Sequence, residues 1–372
     1  MGDEAIEMMA GGDIDKEKVV EDGKYPIYAN ALTNDGIVGY YNDYFRVKAP
    51  AVTVTGRGEV GHAQARMTDF TPVVRLLAIR SNHDCYFLEN AINNHKVIVE
   101  STGVPQLTVP QLASYNIFFP SKIEEEVKIG EYFNNLDNLI TLHQRKCDDT
   151  KELKKYMLQK MFPKNGEKFP EIRFKGFTEA WEQRKVSEYA NFFTGNGLNW
   201  NDISDDGEQE CILYGNLYTD YGMITENIVY RTNTEIKNPV YSEYGDVLIP
   251  ASDTTPTGLA RATSLEKSGV LLGGDINIIR PNEGINGSCL SLALNANRKE
   301  LIRLIKGTTV RHIHNFEIKD IVICLPKLET EQVRVSSYFK QLDHLITLHQ
   351  RKCDTLKELK KYMLQNMFPK KG

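Results

Sequence analysis

Apolar residues recur at alternating steps of four and three along the middle of the chain, in a stretch bounded by two prolines. The stretch lies between Pro120 and Pro163, and its apolar stripe consists of Ile129, Phe133, Leu136, Ile140, His143 and Cys147. This is the a/d spacing of a heptad repeat, and a proline disfavours helix for the residue before it. The pattern predicts one helix over about 122–161, which is about 60 Å long at ~1.5 Å per residue.

The same helix is predicted again near the end of the chain, because the segment is repeated almost unchanged. Residues 136–164 and 342–370 differ at only four positions across an offset of 206 residues. Helices this long and this apolar are not stable alone. We therefore expect the two copies to pack against each other as an antiparallel pair, through Phe133, Leu136, Ile140, Phe339, Leu342 and Ile346.

A second apolar stripe widens the apolar face of each helix. In the first copy it contains Leu139, Leu142, Leu153 and Tyr156. Because the helix pair needs only one stripe for its own packing, we expect further apolar surface to be left for a partner protein. The alternative is that both stripes belong to the core of one globular domain.

The residues outside the repeats read as short strands separated by turn signals, with a few helices. Strands are predicted at Val73–Ile79, Val97–Val99 and Ile117–Phe119, among others, and helices near Tyr86–Asn94 and Ser288–Lys306. The sequence thus predicts an α+β (mixed α/β) fold with two globular domains separated by two long antiparallel helices, a pseudo-two-fold internal repeat. The predicted domains are 1–121, 122–163 (helix), 164–326 and 327–372 (helix).

Composition and charge narrow the class of protein. The 372 residues carry a formal net charge of −5, which by itself argues mildly against nucleic acid, because binding to duplex DNA depends on Lys and Arg. The six cysteines are scattered and form no CxxC pair, which favours reduced thiols in the cytoplasm. No signal peptide and no membrane-spanning apolar run is visible.

Motifs for catalysis and for cofactors are weak or missing. Gly56–Gly61 matches GxGxxG, but a proline soon interrupts the residues that follow, so a tight glycine turn presenting Arg57 and His62 is favoured over a dinucleotide site. There is no P-loop, HExxH or GxSxG motif. Neither His143 and His349 nor the His312–His314 pair has metal-ligand spacing with a third group. We therefore expect no catalytic centre, no bound metal and no cofactor in this chain.

Binding is the function that remains, and the exposed polar residue types in both modules suit DNA. Arg, Asn and Gln read base edges, whereas Lys and Tyr often contact phosphate. The candidate DNA-binding residues are Asn34, Arg57, His62 and Arg66 in the first module and Tyr214, Tyr218, Thr255 and Arg261 in the second.

The chain resembles the DNA-specificity (S) subunits of type I restriction–modification enzymes. The helical segment LDNLITLHQRKCDDTKELKKYMLQKMFP, present twice, resembles the helical spacer of that family. Residues Phe169–Val186, here called the entry segment, resemble the start of a target-recognition domain, and the first module has no counterpart to them. The glycine-rich turn at Gly56–Gly61, followed by the Val73–Ile79 run, also resembles the family.

The resemblance implies a fold, a function and partners. Two target-recognition domains would each read one half of a split, asymmetric site on double-stranded DNA, and the paired helices would set the distance between the half-sites. The helices would also dock two methyltransferase subunits, which hold S-adenosylmethionine, and two restriction subunits, which use ATP and Mg²⁺. The alternatives are a non-catalytic structural adaptor with two ligand-binding modules and, less favoured because of the missing motifs, a methyltransferase.

Overall fold

The computed structural model describes residues 1–95, 97, 105–164 and 166–368. The chain divides into two compact units. Unit 1 consists of Met1–Lys146 and His349–Gly372, and unit 2 consists of Cys147–Leu348. Each unit therefore contains one globular domain and a part of each long helix. The domain boundaries predicted from the sequence stay predictions.

Unit 1 is built on a four-stranded sheet in the order β1-β7-β4-β5 and a three-stranded sheet in the order β3-β2-β6. Helix α1 covers the larger sheet, since Leu88 and Ile92 pack with Val52, Val54 and Ile79 in one core. Its elements are β1 Ala5–Ala10, β2 Tyr25–Tyr28, β3 Ile37–Tyr41, β4 Ala51–Val54, β5 Ala63–Arg66, β6 Thr71–Pro72, β7 Leu77–Ser81, α1 Cys85–Asn93, α2 Val109–Ala113 and the first part of α3 Ile123–Lys160.

Unit 2 is built on a five-stranded sheet in the order β11-β15-β13-β17-β9, with smaller sheets beside it. Its elements are β8 Glu182–Lys185, α4 Val186–Tyr189, β9 Ala190–Thr194, β10 Gln209–Ile212, α5 Asn216–Thr219, β11 Ile224–Thr225, β12 Tyr230–Thr232, β13 Asp246–Pro250, β14 Ser252–Asp253, α6 Pro256–Leu259, β15 Thr263–Leu265, β16 Leu271–Leu272, β17 Ile276–Pro281, α7 Gly287–Ala296, α8 Arg298–Leu304, β18 Arg311–His312, α9 Asn315–Ile318, β19 Val322–Leu325 and α10 Glu329–Met367. Helix α7 is buried along most of its length against this sheet.

The two predicted long helices are confirmed, and so is their antiparallel pairing within each unit. In unit 1, Lys360 Nζ lies 2.7 Å from Asp137 Oδ1, and Nδ1 of His143 lies 3.0 Å from Nδ1 of His349. The residue number rises along α3 as it falls along α10, so the helices run in opposite directions. In unit 2 the Lys154–Asp343 ion pair, with 2.5 Å between Nζ and Oδ1, and the Phe162–Phe339 ring contact show the same order.

The predicted packing stripe occupies equivalent positions in the two copies. Phe133 and Phe339 are fully buried, and Leu136 and Leu342 are each 5% exposed. Phe133 and Leu136 belong to a core cluster with Phe368, whereas Phe339 and Leu342 join the main core of unit 2. Ile140 and Ile346 are half-buried. The repeated sequence therefore repeats its burial as well.

Three predicted elements differ from the structure, and a further one lies mostly outside the described residues. The strand predicted at Val73–Ile79 begins only at Leu77, because Val74 and Arg75 take positive φ angles of 51° and 62° in a turn. Part of the predicted Val97–Val99 strand lies outside the described residues. The helix predicted over 288–306 is two helices, which meet at Asn297. The strand predicted at Ile117–Phe119 is wrong, since residues 116–119 form no strand and pair with none among the described residues.

Candidate nucleic-acid interface

A basic groove in unit 2 encloses about 1540 Å³ between the C-terminal part of α3, α6 and α8. Eight basic side chains line it against two acidic ones, and three of the four candidate residues of the second module lie there together: Tyr218, Thr255 and Arg261. The basic residues are Lys151, Lys154, Lys155, Lys164, Arg261, Arg298, Lys299 and Arg303, and the acidic ones are Asp253 and Glu300. The excess of positive charge suits an anionic ligand.

Thr255 reaches the groove because it begins helix α6. Its hydroxyl accepts a hydrogen bond from the Gly258 N–H at 3.2 Å and donates one to Asp253 Oδ2 at 2.9 Å. A Cβ at position 258 would stand 1.5 Å from that same carboxylate oxygen, so glycine is needed there. Pro256 fits the first helical position. The Asp253 carboxylate is thus part of the local turn that places Thr255 at the groove.

Arg261 is fixed at the groove wall by the backbone of α5. Its Nη1 donates to the carbonyl oxygen of Tyr218 at 2.7 Å. Burial, and then the neighbouring charge of Arg298, lower the pKa of Arg261. An arginine stays charged at neutral pH in spite of such shifts. A half-buried guanidinium held in this way is suited to bind a phosphate or a base edge.

Tyr214, the fourth candidate in the second module, is not brought to this groove. It is half-buried and packs against the core that contains Ile212 and Leu217. The described lining of the groove instead contains basic residues that the sequence analysis did not select, above all Lys155 and Arg298. The lysines of this set could have been found from the sequence, because Lys151, Lys154 and Lys155 lie close together in the repeated helix. The sequence analysis interpreted that helix only as a spacer.

In unit 1, Arg66 supports a turn rather than the surface. Its side chain is 6% exposed, and its Nη1 lies 2.7 Å from Asp35 Oδ2. Nη2 donates to the Asp35 carbonyl and to Gln64, Nε donates to Thr53, and the guanidinium stacks on the ring of Tyr28. A direct contact of Arg66 with DNA stays a prediction, and this geometry favours an indirect role.

The turn that Arg66 holds presents Asn34. Asn34, Asp35 and Gly36 all have positive φ angles, of 50°, 55° and 77°. Asn and Asp tolerate this conformation better than most residues, and Gly adopts it freely. Asn34 itself is exposed at the tip of the turn. The Asp35–Arg66 pair therefore fixes the backbone that positions the Asn34 side chain.

The glycine turn at Gly56–Gly61 is confirmed, and it exposes Arg57 and His62. Asn30 ties this turn to its neighbours. Its Oδ1 accepts from the Gly56 N–H at 2.8 Å, and its Nδ2 donates to the Val74 carbonyl at 2.5 Å. Sequence reasoning did not select Asn30 as a functional residue. One side chain thus holds together the loops that carry Arg57 and Arg75.

Over the described ranges, no three His, Cys, Asp or Glu side chains cluster as metal ligands would. No helix among these residues combines the length and the apolar character needed to cross a membrane. His143 and His349, half-buried at equivalent positions of the repeat, face each other.

The chain is a two-unit protein of mixed α/β structure with a basic groove in unit 2, and comparison with known proteins identifies its family. The family model described as "Type I restriction modification DNA specificity domain" matches residues 4–151 and 178–358. The chain belongs to this family.

Named relatives agree with this assignment. The chain is 31% identical over 132 residues to a putative type I specificity subunit, S.MpnORF507P, of Mycoplasma pneumoniae, a match that covers 34% of this chain. It is 22% identical over 289 residues, 71% of this chain, to the type I restriction enzyme MjaVIII specificity subunit of Methanocaldococcus jannaschii. The matches span 36% and 64% of these relatives' own lengths.

Solved structures share the fold. The S subunit of a type I restriction–modification system from M. genitalium superposes with a TM-score of 0.69 at 15% identity, over 100% of this chain and 96% of that one. A chain from a study of complex assembly and conformational transition in a type I R-M system superposes with a TM-score of 0.51 at 18% identity, over 98% and 95%. The predicted α+β fold class, with its internal repeat and long helices, is therefore confirmed.

Proposed function

We propose that this chain is the sequence-specificity subunit of a type I restriction–modification complex and that it reads a bipartite, asymmetric site on double-stranded DNA. The observation that supports this most directly is the basic groove of unit 2, where eight cations surround three of the candidate DNA-binding residues. A local excess of this size explains how a chain of net charge −5 can bind a polyanion. A cytoplasmic location is part of this proposal, because the DNA that the complex would read lies there.

Two different half-sites are supported by the divergence of the two units. The helical segments are nearly identical, whereas the surfaces that present Arg57 in unit 1 and Arg261 in unit 2 are built from different loops. Phosphate contacts position a protein on DNA, and side chains at base edges supply specificity. Two unlike surfaces on like scaffolds are therefore suited to two unlike half-sites.

The catalytic partners are proposed to dock on the apolar surface that the helices leave exposed. Unit 1 exposes Leu139, Leu142, Leu359 and Tyr362, and unit 2 exposes the repeat equivalents Leu345, Leu348, Leu153 and Tyr156, each between 37% and 62%. Repeated exposed apolar residues mark interaction sites. One methyltransferase subunit on each set gives two per chain, with S-adenosylmethionine bound by those subunits. Two restriction subunits, with ATP and Mg²⁺, would join this assembly, and this chain itself would remain non-catalytic.

A substitution in each apolar set should remove one methyltransferase subunit. We expect Leu142→Glu and Leu348→Glu each to reduce the complex from two methyltransferase subunits to one, and the double variant to bind none, because a buried unpaired charge is costly. Native mass spectrometry with the cognate subunit measures this directly. Val229→Glu, at a 64% exposed position outside the helices, is the control and should leave two bound. Two subunits on the double variant would exclude these sets as the docking sites.

The proposed function is tested by mapping methylated adenines in cells that express this chain with its cognate methyltransferase subunit. We expect one motif with two defined halves and a fixed gap. One defined half would mean that one unit does not read DNA. The absence of methylation, together with the absence of salt-dependent binding to duplex DNA by the complex, would instead favour a structural adaptor.

The helix pair is proposed to act as the ruler between the half-sites. Inserting four residues after both Asp148 and Asp354 lengthens each helix by about 6 Å, a little more than one turn. We expect the gap in the methylated motif to grow by about two base pairs at ~3.4 Å each, while both half-sites keep their sequence. Four residues inserted after Asp205, in an exposed turn, are the control and should leave the gap as it was. An unchanged gap after the double insertion would refute the ruler.

A further inference from the structure

The main sheets of the two units share one strand arrangement, so their loops can be compared. In unit 1 the order is β1-β7-β4-β5, and in unit 2 four of the five strands follow the order β9-β17-β13-β15. All of these neighbouring strands pair antiparallel. One helix packs on each sheet, α1 in unit 1 and α7 in unit 2. Strand β5 therefore corresponds to β15.

An asparagine near the end of each of these helices fixes the register. In unit 1, Asn93 Oδ1 accepts from the Ala63 N–H at 2.8 Å, and Asn93 Nδ2 donates to the Ala63 carbonyl at 2.9 Å. In unit 2, Asn295 makes the same two hydrogen bonds with the N–H and the carbonyl of Ala262, at 3.3 and 2.8 Å. Ala63 and Ala262 are therefore equivalent positions.

His62 takes the position in unit 1 that Arg261 takes at the groove wall of unit 2, because each immediately precedes one of these alanines. The backbone of His62 is fixed, since its N–H donates to Thr55 Oγ1 and its carbonyl accepts from the Thr55 N–H, both at 2.9 Å. The His62 side chain is exposed. A histidine in place of the arginine keeps a hydrogen-bond donor at this position, but its charge depends on pH.

The lysines that line the groove of unit 2 also have equivalents beside His62. Three of them lie on α3, and the repeat offset of 206 places their equivalents in the part of α10 that belongs to unit 1. The equivalents, here called the unit 1 lysine set, are Lys357, Lys360 and Lys361. Asn94, at the end of α1, donates from Nδ2 to the Leu364 carbonyl at 3.1 Å, and Leu158, the equivalent of Leu364, lines the groove with the end of α7. The same elements therefore meet in both units.

The charges around His62 keep it neutral in the free protein. Partial burial of the imidazole lowers the pKa of His62, Glu59 in its own turn opposes this effect, and the positive charges of Arg66 in β5 and Lys360 in α10 lower the pKa further. A histidine whose pKa lies below its ordinary value carries no charge at pH 8. An anion bound beside the imidazole would add a negative charge and reverse this preference.

Two carboxylates on α1 and α3 act on the same cations. Asp137 on α3 is ion-paired with Lys360, as Asp343 is with Lys154 in unit 2. Burial raises the pKa of Glu89 on α1 to about 7, although the Ala65 N–H and the charges of Lys360 and Arg66 oppose it. Glu89 and a histidine therefore change charge in neighbouring pH ranges, and an experiment must separate them.

We propose that His62 and the unit 1 lysine set form a second anion-binding surface, which binds the phosphate backbone of DNA most strongly when His62 is protonated. This inference rests on the proposed function, because duplex DNA is the ligand. A phosphate beside the imidazolium stabilises the charged form, so proton uptake and DNA binding strengthen each other. Unit 2, with Arg261 at the equivalent position, binds its part of the DNA without this dependence, because arginine stays charged. The contribution of unit 1 to affinity thus rises as the pH falls.

Titrations of the cognate duplex with the assembled methyltransferase complex, followed by anisotropy from about pH 8 to pH 5.5 at constant salt, test the proposal. We expect the affinity of the parent to rise about 10-fold more than that of His62→Gln, which corresponds to a pKa of His62 one unit higher in the complex. His62→Arg should bind about 10-fold more tightly than the parent at pH 8, and its further gain should not exceed that of His62→Gln.

Two controls separate His62 from other titrating groups. Glu89→Gln should still gain affinity as the pH falls, and adding His62→Gln to it should remove about 10-fold of that gain. His344→Asn changes an exposed histidine of α10 to the type of residue found at its repeat equivalent, Asn138, and should behave like the parent at every pH.

The reciprocal exchange in unit 2 gives an independent result. Arg261→His should weaken binding at pH 8 and recover about 10-fold at pH 5.5, beyond the gain of the parent. Equal pH dependence in the parent, His62→Gln and His62→Arg would overturn the inference and leave the proposed function in place. Loss of the gain in Glu89→Gln, with the gain retained in His62→Gln, would assign it to Glu89 and also overturn the inference. Absence of salt-dependent duplex binding at every pH would overturn the proposed function and this inference together.

Discussion

Replacing Lys155, Arg298 and Lys299 together with glutamine is expected to weaken DNA binding by the assembled methyltransferase complex about 100- to 1000-fold near 0.1 M salt. All three side chains are exposed and line the basic groove of unit 2. Each phosphate contact that is lost lowers the dependence of log K on log salt by about 0.9, so the slope should fall by about 3. Titrations by anisotropy between 0.05 and 0.3 M salt, with the cognate duplex and with a scrambled one, measure both quantities.

The control for this variant removes the same charge elsewhere in unit 2. Lys175, Lys237 and Lys319 are exposed and are not among the described residues that line the groove. Their triple glutamine variant should keep its affinity within a few-fold. If the groove residues contact phosphates, cognate and scrambled duplexes weaken equally, because phosphate contacts carry no sequence information. An unchanged slope would show that DNA does not pass through the groove.

Glu331→Gln is expected to lower the free energy of unfolding of unit 2 by about 3 kcal/mol, since removal of one partner from a buried ion pair leaves the other charge uncompensated. The glutamine can still accept from Trp181, but it no longer neutralises Arg173, whose side chain is 13% exposed. For a unit of this size, ~3 kcal/mol corresponds to a Tm lower by roughly 6–12 °C. Urea denaturation followed by tryptophan fluorescence reports on it, because Trp181 contacts the altered residue.

The internal repeat supplies a matched control at the equivalent position. Glu125→Gln makes the same chemical change at an exposed site in unit 1, where we expect less than about 0.5 kcal/mol. Equal effects of the two substitutions would mean that the buried Arg173–Glu331 pair contributes nothing beyond an exposed carboxylate. Arg173→Gln, which leaves Glu331 buried and uncompensated, should destabilise unit 2 by a similar amount to Glu331→Gln.

The sequence predicted the helices well because their determinants are local. Proline at each end and a heptad stripe suffice to place α3 and α10 within a residue or two, and duplication of the stripe indicates that the copies pack together. The strand at Ile117–Phe119 failed for the opposite reason. The corresponding apolar run in unit 2 is a strand, because Gln183 and Arg184 pair with it, whereas residues 116–119 pair with no strand in the described part of unit 1. Strand formation depends on a partner that the run itself does not encode.

The candidate site was predicted in part, and the difference again lies between local and tertiary information. Residue type identified Arg57, Arg66 and Arg261 as candidates, with Arg57 and Arg261 favoured. Their environments separate them, since Arg57 is exposed, Arg66 is buried on Asp35 and Tyr28, and Arg261 lies half-buried at the groove wall. The lysines of α3 gain significance only because α6 and α8 fold beside them, which the spacing of residues along one helix does not reveal.

The division of the chain has a consequence for how the molecule is made. Unit 2 is one continuous segment, Cys147–Leu348, whereas unit 1 combines the beginning of the chain with its last residues. On a ribosome, the domain that is translated second can complete its packing first. The domain that is translated first must wait for Leu364 in α10 and for Phe368 just after it, which pack beside Phe87 and Phe133. A stop codon shortly before Leu364 would therefore damage the domain that is translated first, although it leaves every residue of that domain's sheets in place.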